Sequence, residues 1–185
     1  MNAVTTSSTT TSQVFAIDAS HTSAEFVVRH MMIAKVRGRF TALAGTIEAV
    51  DGGRTPTSIR ATIETKSVAT GVDQRDDHLK SPDFFEAATY PTIEFASTKI
   101  VADGDAFDVH GDLTIHGKTL PVVLKATFEG ASTDPWGNQR VGYEATAKIS
   151  RKEFGLVWNQ ALETGGVAVG DEVKIELSVE GVAQK

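Results

Sequence analysis

Three stretches of this chain gather side chains that could do chemistry. In GVDQRDDHLKSPDFF, Gly71 to Phe85, two carboxylates and an imidazole stand side by side at Asp76, Asp77 and His78, behind the cation Arg75. Asp108, His110 and Asp112 alternate along a second stretch, a spacing that projects metal-ligating groups from one face of a strand. GDLTIHGKT, Gly111 to Thr119, ends in the Gly-Lys-Thr that closes a phosphate-binding loop.

Each needs an element to aim it, and the elements argue against all three. Five residues rather than four separate Gly111 from Gly117, and the segment leads from strand to strand, so no helix N-terminus meets a phosphate. A hairpin turn at His116-Gly117-Lys118 explains it. The face carrying Asp108, His110 and Asp112 is the polar, outward one, and metal sites draw ligands from more than one element. Asp76, Asp77 and His78 fan around a helix and read as a wet face with a dipole-complementing first turn. No Gly-x-Ser-x-Gly elbow or His-Glu-x-x-His pair occurs. No catalytic or metal residue is therefore assigned.

Composition narrows the partners. The 185 residues are 41% hydrophobic, enough for one sizeable core. The chain has no cysteine, which removes thiolate chemistry, and its net charge of −6 argues against nucleic acid as a partner. Residues 1–13 read as a disordered polar tail and 14–185 as one domain. The tail lacks the apolar core of a signal peptide, and no run of about 18 apolar residues would form a membrane-spanning segment. A cytoplasmic location is the expectation.

Alternation with period 2 dominates from Val14 onward. Ile59, Ala61 and Ile63 oppose Arg60, Thr62 and Glu64; Phe107 to Ile115 and Leu120 to Phe128 repeat the habit and should pair as a hairpin. Val141 to Ile149 and Val173 to Val179 each have one dry and one wet face. Weaker segments are Phe15 to Asp18, Ala24 to His30, Val36 to Phe40, Leu43 to Val50 and Ile93 to Ile100. The fold class is all-β, with eight to nine antiparallel strands closing into a barrel or stacking as a sandwich. Small inward residues such as Ala61, Ala126 and Ala145 leave both a filled and a hollow interior open.

Helices are few. Asp73 is placed to cap one that runs through Leu79, Ser81-Pro82 to start a second, and Ser150 with Glu153 to box a third over Arg151 to Gly155. Leu79, Phe84 and Phe85 sit in a connection of about two dozen residues, long enough to be a plug or a lid.

An ordered set of motifs resembles the YceI-like polyisoprenoid-binding family. Arg75-Asp76-Asp77-His78-Leu79-Lys80-Ser81-Pro82-Asp83-Phe84-Phe85 and Tyr90-Pro91-Thr92-Ile93-Glu94-Phe95 are similar to its central signature. Ile17-Asp18 with His21-Thr22-Ser23-Ala24-Glu25-Phe26 and His30, Val36-Arg37-Gly38-Arg39-Phe40, and Gly111 to Gly117 match earlier and central strands. Ser150-Arg151-Lys152-Glu153-Phe154-Gly155-Leu156 and Gly170-Asp171-Glu172-Val173 match its closing part. The resemblance covers Phe15 to Val182.

It implies an extended, lipocalin-like antiparallel β-barrel of about eight strands, hollow, with short helices forming a lid. The implied role is non-enzymatic: binding a polyprenyl, a prenyl quinone or a similar long amphiphile, for storage, transport or shielding, with that lipid as the ligand and no other cofactor. The tail would lie against Phe26, Val28, Phe40, Ile63, Phe84, Phe85, Ile93, Phe95, Leu113, Ile115, Leu124, Phe128, Phe154 and Trp158. Arg75, His78 and His30 are the head-group candidates. The resemblance admits a homodimer, and many relatives look exported to the bacterial periplasm. The competing reading is an enzyme working at the barrel mouth with His78, His30 and nearby acids; a third is a structural β-domain with a filled core.

Overall fold

The alternating segments form eleven antiparallel strand segments and one helix. They are β1 Gln13–Ile17, β2 Ser23–His30, β3 Ala34–Phe40, β4 Leu43–Val50, β5 Thr55–Glu64 and β6 Val68–Ala69, then helix α1 Asp73–Lys80. After it come β7 Thr92–Asp103, β8 Ala106–Ile115, β9 Lys118–Thr133, β10 Gln139–Ser150 and β11 Val169–Ala183. The computed structural model describes residues 11–163 and 165–185; the expected polar tail lies outside these up to residue 10.

Eleven segments make only eight staves, because three staves are interrupted. β1 and β2 are one stave: β11 pairs with both, Gly181 opposite Ile17 and Ser178 opposite Ser23. β3 and β4 pair likewise with β6 and β5, Phe40 opposite Val68 and Leu43 opposite Ile63. The staves then follow in chain order, and β1–β11 pairing shuts the ring. The result is a closed eight-stave up-and-down barrel whose sheet leaves few free edges to manage. The inward rows are apolar and the outward rows carry Arg60, Glu94, Lys125, Glu144 and Lys148, the reverse of a transmembrane barrel. Among the described residues no helix is long and apolar enough to cross a membrane.

The β8–β9 hairpin forms as its sequence demands. Ile115 opposes Lys118 across a turn in which His116 (φ 52°) and Gly117 (φ 72°) are both left-handed, the twist that a two-residue hairpin needs. On the outward face Asp108 meets Lys125 at 2.7 Å, an ordinary surface pair.

The helical expectations need correction. Asp73 is the first residue of α1, and Val72 is its cap, with no side-chain hydrogen bond. Ser81 starts no second helix: its hydroxyl donates to the His78 carbonyl at 2.7 Å, closing the end of α1, and residues 81–85 form a turn. Nor is residue 76 on a wet face, since Asp76 is buried and accepts from the Thr70 amide at 2.8 Å. Residues 151–155 are a turn as well, with Gly155 N–H on the Lys152 carbonyl at 2.9 Å. Arg151 turns inward there and donates to the carbonyls of Leu156, Trp158, Val169 and Gly170, beyond the turn.

One end of the barrel is filled. Phe15, Ile47, Ala49, Val141 and Tyr143 pack together under the 3₁₀ turn Asp51–Gly53, and the Tyr143 hydroxyl donates to the Gly53 carbonyl. Burial pushes that phenol up to about 12. Beside this end Arg140 joins Asp18, Asp134 and Glu180, tying the break between β1 and β2 to β10 and β11. Hydrogen bonds from Ser20, His21 and Arg140 hold the Asp18 carboxyl far below the usual range, and Asn138 with Arg140 does so for Asp134. Depressed carboxylates add stability that is complete above the unfolded value, about 4, and is lost as pH falls through it toward the folded value. The urea midpoint should therefore drop more between pH 6 and pH 3 in the native chain than in Asp18→Asn, which starts less stable; parallel curves would contradict this.

Candidate functional site

Between the filled end and the opposite end the barrel is hollow. A cavity of about 490 Å³ runs down its interior, lined on β11 alone by Val169, Val173, Ile175, Leu177 and Val179. Ten residues of strand at about 3.3 Å each, tilted about 40°, correspond to roughly 25 Å along the axis, whereas a sphere of that volume would be only about 10 Å across. The cavity is a channel. Its walls explain why inward residues such as Phe40, Ile63, Phe95 and Ile175 are only half-buried: each packs on one side and faces open space on the other. Ala61, Ala126 and Ala145 line it too, with Ala126 and Ala145 directly opposed on β9 and β10. Small residues facing each other leave the room that larger ones would fill.

Of the lining residues only Arg29, His30 and Gln160 are exposed. They mark the mouth, between the β2–β3 hairpin and the 151–168 connection. The helix α1 and the turn after it cover the neighbouring part of the same end. Phe84 and Phe154 are buried there with Ile93, Leu113, Ile115 and Leu156, and Leu79, Phe85 and Trp158 pack against them. His78 stands edge-on to Phe84 and Trp158, with centroids 5.0 and 4.8 Å away, and its Nε2 meets Asp83 at 2.8 Å. Arg75 donates to the Thr70 hydroxyl at 2.7 Å and carbonyl at 3.0 Å. Both line the channel while using polar atoms to fasten the lid.

All but one of the residues read from sequence as tail contacts line this channel: Phe26, Val28, Phe40, Ile63, Phe84, Phe85, Ile93, Phe95, Leu113, Ile115, Leu124, Phe154 and Trp158. Phe128 does not. It has inward parity but lies at the filled end, its ring 5.5 Å from that of Tyr143. The head-group candidates Arg75, His78 and His30 also reach the channel, with His30 at the mouth.

Sequence reasoning passed over Arg151, which is 5% exposed and lines the channel. Its Nε donates to Gly170 O at 2.8 Å, its Nη1 to Leu156 O at 2.6 Å and Trp158 O at 2.9 Å, and its Nη2 to Val169 O at 3.3 Å. Burial lowers its pKa and the charge of Asp171 opposes that. A guanidinium has five N–H donors, so this arrangement leaves one for a guest. The signal was present in the alternation, for residue 151 continues the inward parity of Ala145, Ala147 and Ile149.

Catalytic constellations are weaker than they look. Ser20, His21 and Asp18 touch one another, yet serine and aspartate both meet the same ring nitrogen, Nδ1, and a nucleophile needs the opposite one. Asp18, His21 and Glu180 could converge on a cation, but the Arg140 guanidinium already bridges Asp18 and Glu180. Among the described residues no hydroxyl lies within hydrogen-bonding reach of the His78 ring, so it has no nucleophile to activate.

Comparison with known proteins agrees with the geometry. The sequence model of the YceI-like domain matches residues 15–181. The chain is 38% identical over 168 residues to Protein YceI of Escherichia coli O6:H1, covering 91% of this chain and 85% of that protein. Its fold matches BcnA of Burkholderia cenocepacia with a TM-score of 0.76 at 24% identity, over 89% of this chain and 98% of that one. A polyisoprenoid binding domain from Saccharophagus degradans matches with a TM-score of 0.70 at 18% identity, over 93% and 99%.

Removing Arg151 should leave several buried carbonyls without a donor. Arg151→Met is expected to cost about 2–4 kcal/mol, read as a lowered urea midpoint, and Arg151→Lys to recover less than half, since a point ammonium cannot span the fork. Full rescue by lysine would show that charge alone matters.

Proposed function

The chain belongs to the YceI-like family, and from that premise we propose that its barrel holds the hydrocarbon tail of a long isoprenoid lipid, such as a polyprenyl or prenyl quinone, lengthwise in the channel. The observation that carries this reading is the channel itself: long, and walled chiefly by branched and aromatic side chains from every stave. The Saccharophagus degradans neighbour, a polyisoprenoid binding domain, supports the ligand class.

The energetics need no catalytic group. Each CH₂ taken out of water contributes about 0.8 kcal/mol, so ten carbons of tail contribute about 8 kcal/mol before the costs of association. The polar head stays at the mouth, where His30 and Gln160 meet water, and the remaining Arg151 donor can bind an oxygen within. A binding protein of this kind shields, stores or carries its lipid; chemistry on it is not required.

The chain has two tryptophans, Trp136, which is 81% exposed, and Trp158, which lines the channel. In a Trp136→Phe background the emission of Trp158 should change on titration with a polyprenyl alcohol and saturate at one chain per barrel. Ala126→Phe places a ring midway down the channel. It should weaken a long polyprenyl alcohol at least tenfold and a short one far less, with the melting temperature unchanged or raised. Equal loss for both lengths, or none, would mean that the tail does not run past residue 126.

A further inference from the structure

The tip of the β2–β3 hairpin carries apolar residues on the outside, although the strands below it turn Phe26, Val28 and Phe40 into the channel. Met31, Met32 and Ile33 at its tip are 41%, 55% and 82% exposed. In an up-and-down barrel successive connections alternate between the two ends, and this tip shares its end with the connections that hold Val72, Val157 and Val167, also exposed. The apolar surface is thus concentrated around the channel mouth. The tip is physically joined to it: Met31 N–H donates to Ala168 O at 2.8 Å and Ala168 N–H to Gln160 O at 2.9 Å.

Two local rules are broken here. Ile33 N–H closes a turn on His30 O at 3.1 Å, and both central residues, Met31 (φ 50°) and Met32 (φ 62°), are left-handed where Asn-Gly is the usual occupant. Beside the turn, Arg29 and Lys35 stand directly opposite each other in the ladder, a repulsive pairing, with no carboxylate in salt-bridge reach of either among the described residues. From Phe26 to Ile47 the sequence has four basic residues and no acidic one, within a chain of net charge −6. Uncompensated cations flanking exposed apolar side chains are complementary to a surface that is anionic outside and apolar just beneath.

We propose that this hairpin tip docks on an anionic lipid bilayer, Met32 and Ile33 entering the headgroup region while Arg29 and Lys35 meet lipid phosphates, so that the channel mouth opens onto the membrane. A few side chains are far short of the roughly 1,200–2,000 Å² that a stable protein interface buries, whereas shallow insertion reinforced by basic residues gives reversible membrane binding. The purpose of docking, passage of a tail between bilayer and channel without crossing water, rests on the reading of the channel as a lipid site. The docking itself does not.

The test is flotation of the purified, delipidated protein with vesicles of phosphatidylcholine alone or mixed with phosphatidylglycerol, containing no isoprenoid. The native chain should float with the anionic vesicles and be released by raised salt. Met32→Ser with Ile33→Ser should lower the partition coefficient at least tenfold, and Arg29→Glu with Lys35→Glu should abolish the preference for anionic lipid. Val123→Ser, an exposed change on an outer strand face, should alter neither, and the melting temperature of every variant should match the native chain. No flotation, or flotation unaffected by the tip changes, would overturn the proposal. A dimer by light scattering that Ile33→Ser alone disperses, without vesicle binding, would also overturn it and assign the tip to a second copy. Because the vesicles carry no isoprenoid, failure here leaves the channel reading intact, and an empty channel leaves the docking result intact.

Discussion

Ring closure is the constraint on which the rest of this structure depends. A barrel with an open channel cannot be held together by core density, because its inward side chains lack partners on one side. The backbone ladder must carry that burden, and the ladder is continuous only because the last stave pairs with both halves of the first, from Phe15–Ala183 to Ile17–Gly181 along β1 and from Ser23–Ser178 to His30–Val169 along β2. Without these pairs the sheet would have two free edges and an apolar face open to water. With them, the interior can be apolar and hollow at once.

Closure fixes the middle, and polar side chains hold the ends. At the filled end Tyr143 grips the Asp51–Gly53 turn while Arg140 gathers three carboxylates across separate staves. At the mouth end Arg151 does a related job with neutral carbonyls, pulling the 151–168 connection over the barrel, and Asp76 with Arg75 fastens α1 to Thr70. In each case a buried or half-buried polar group stands where irregular backbone would otherwise be left unsatisfied. The channel is therefore bounded by hydrogen-bonded structure at its ends and by apolar side chains along its length. That division of labour suits a ligand with a long dry tail and a small wet head.

Much of this was legible in the sequence because period 2 reports directly which way a strand residue faces. Phe95, Leu113 and Leu124 were placed on the wall for that reason. Period 2 says nothing about height along the barrel, so Phe128, with the same parity, was put in the channel although it belongs to the filled end. Parity also pointed Arg151 inward, but the capping pattern Ser150 to Glu153 offered a competing local reading. Capping signals misled at Asp73, which is the first residue of the helix and not its cap, and at Ser81, whose hydroxyl closes the end of α1 and starts no second helix. Two staves, β1 with β2 and β3 with β4, read as separate short strands because their interruptions, such as the Asp18 turn, are held by residues distant in sequence. Whether the interior was filled or hollow could not be decided from small inward residues alone; it depends on how Ala126 and Ala145 face each other across the ladder.

The central claim is that the channel holds a long lipid tail, and the direct measurement is on the protein as it comes from cells that make such lipids. Purified chain is denatured, extracted with organic solvent, and the extract analysed by mass spectrometry. The account predicts a long-chain isoprenoid at close to one per barrel in the native chain and a reduced amount or shorter chains in Ala126→Phe. A native chain that yields no lipid and also takes up none when supplied with polyprenyl alcohol would contradict it.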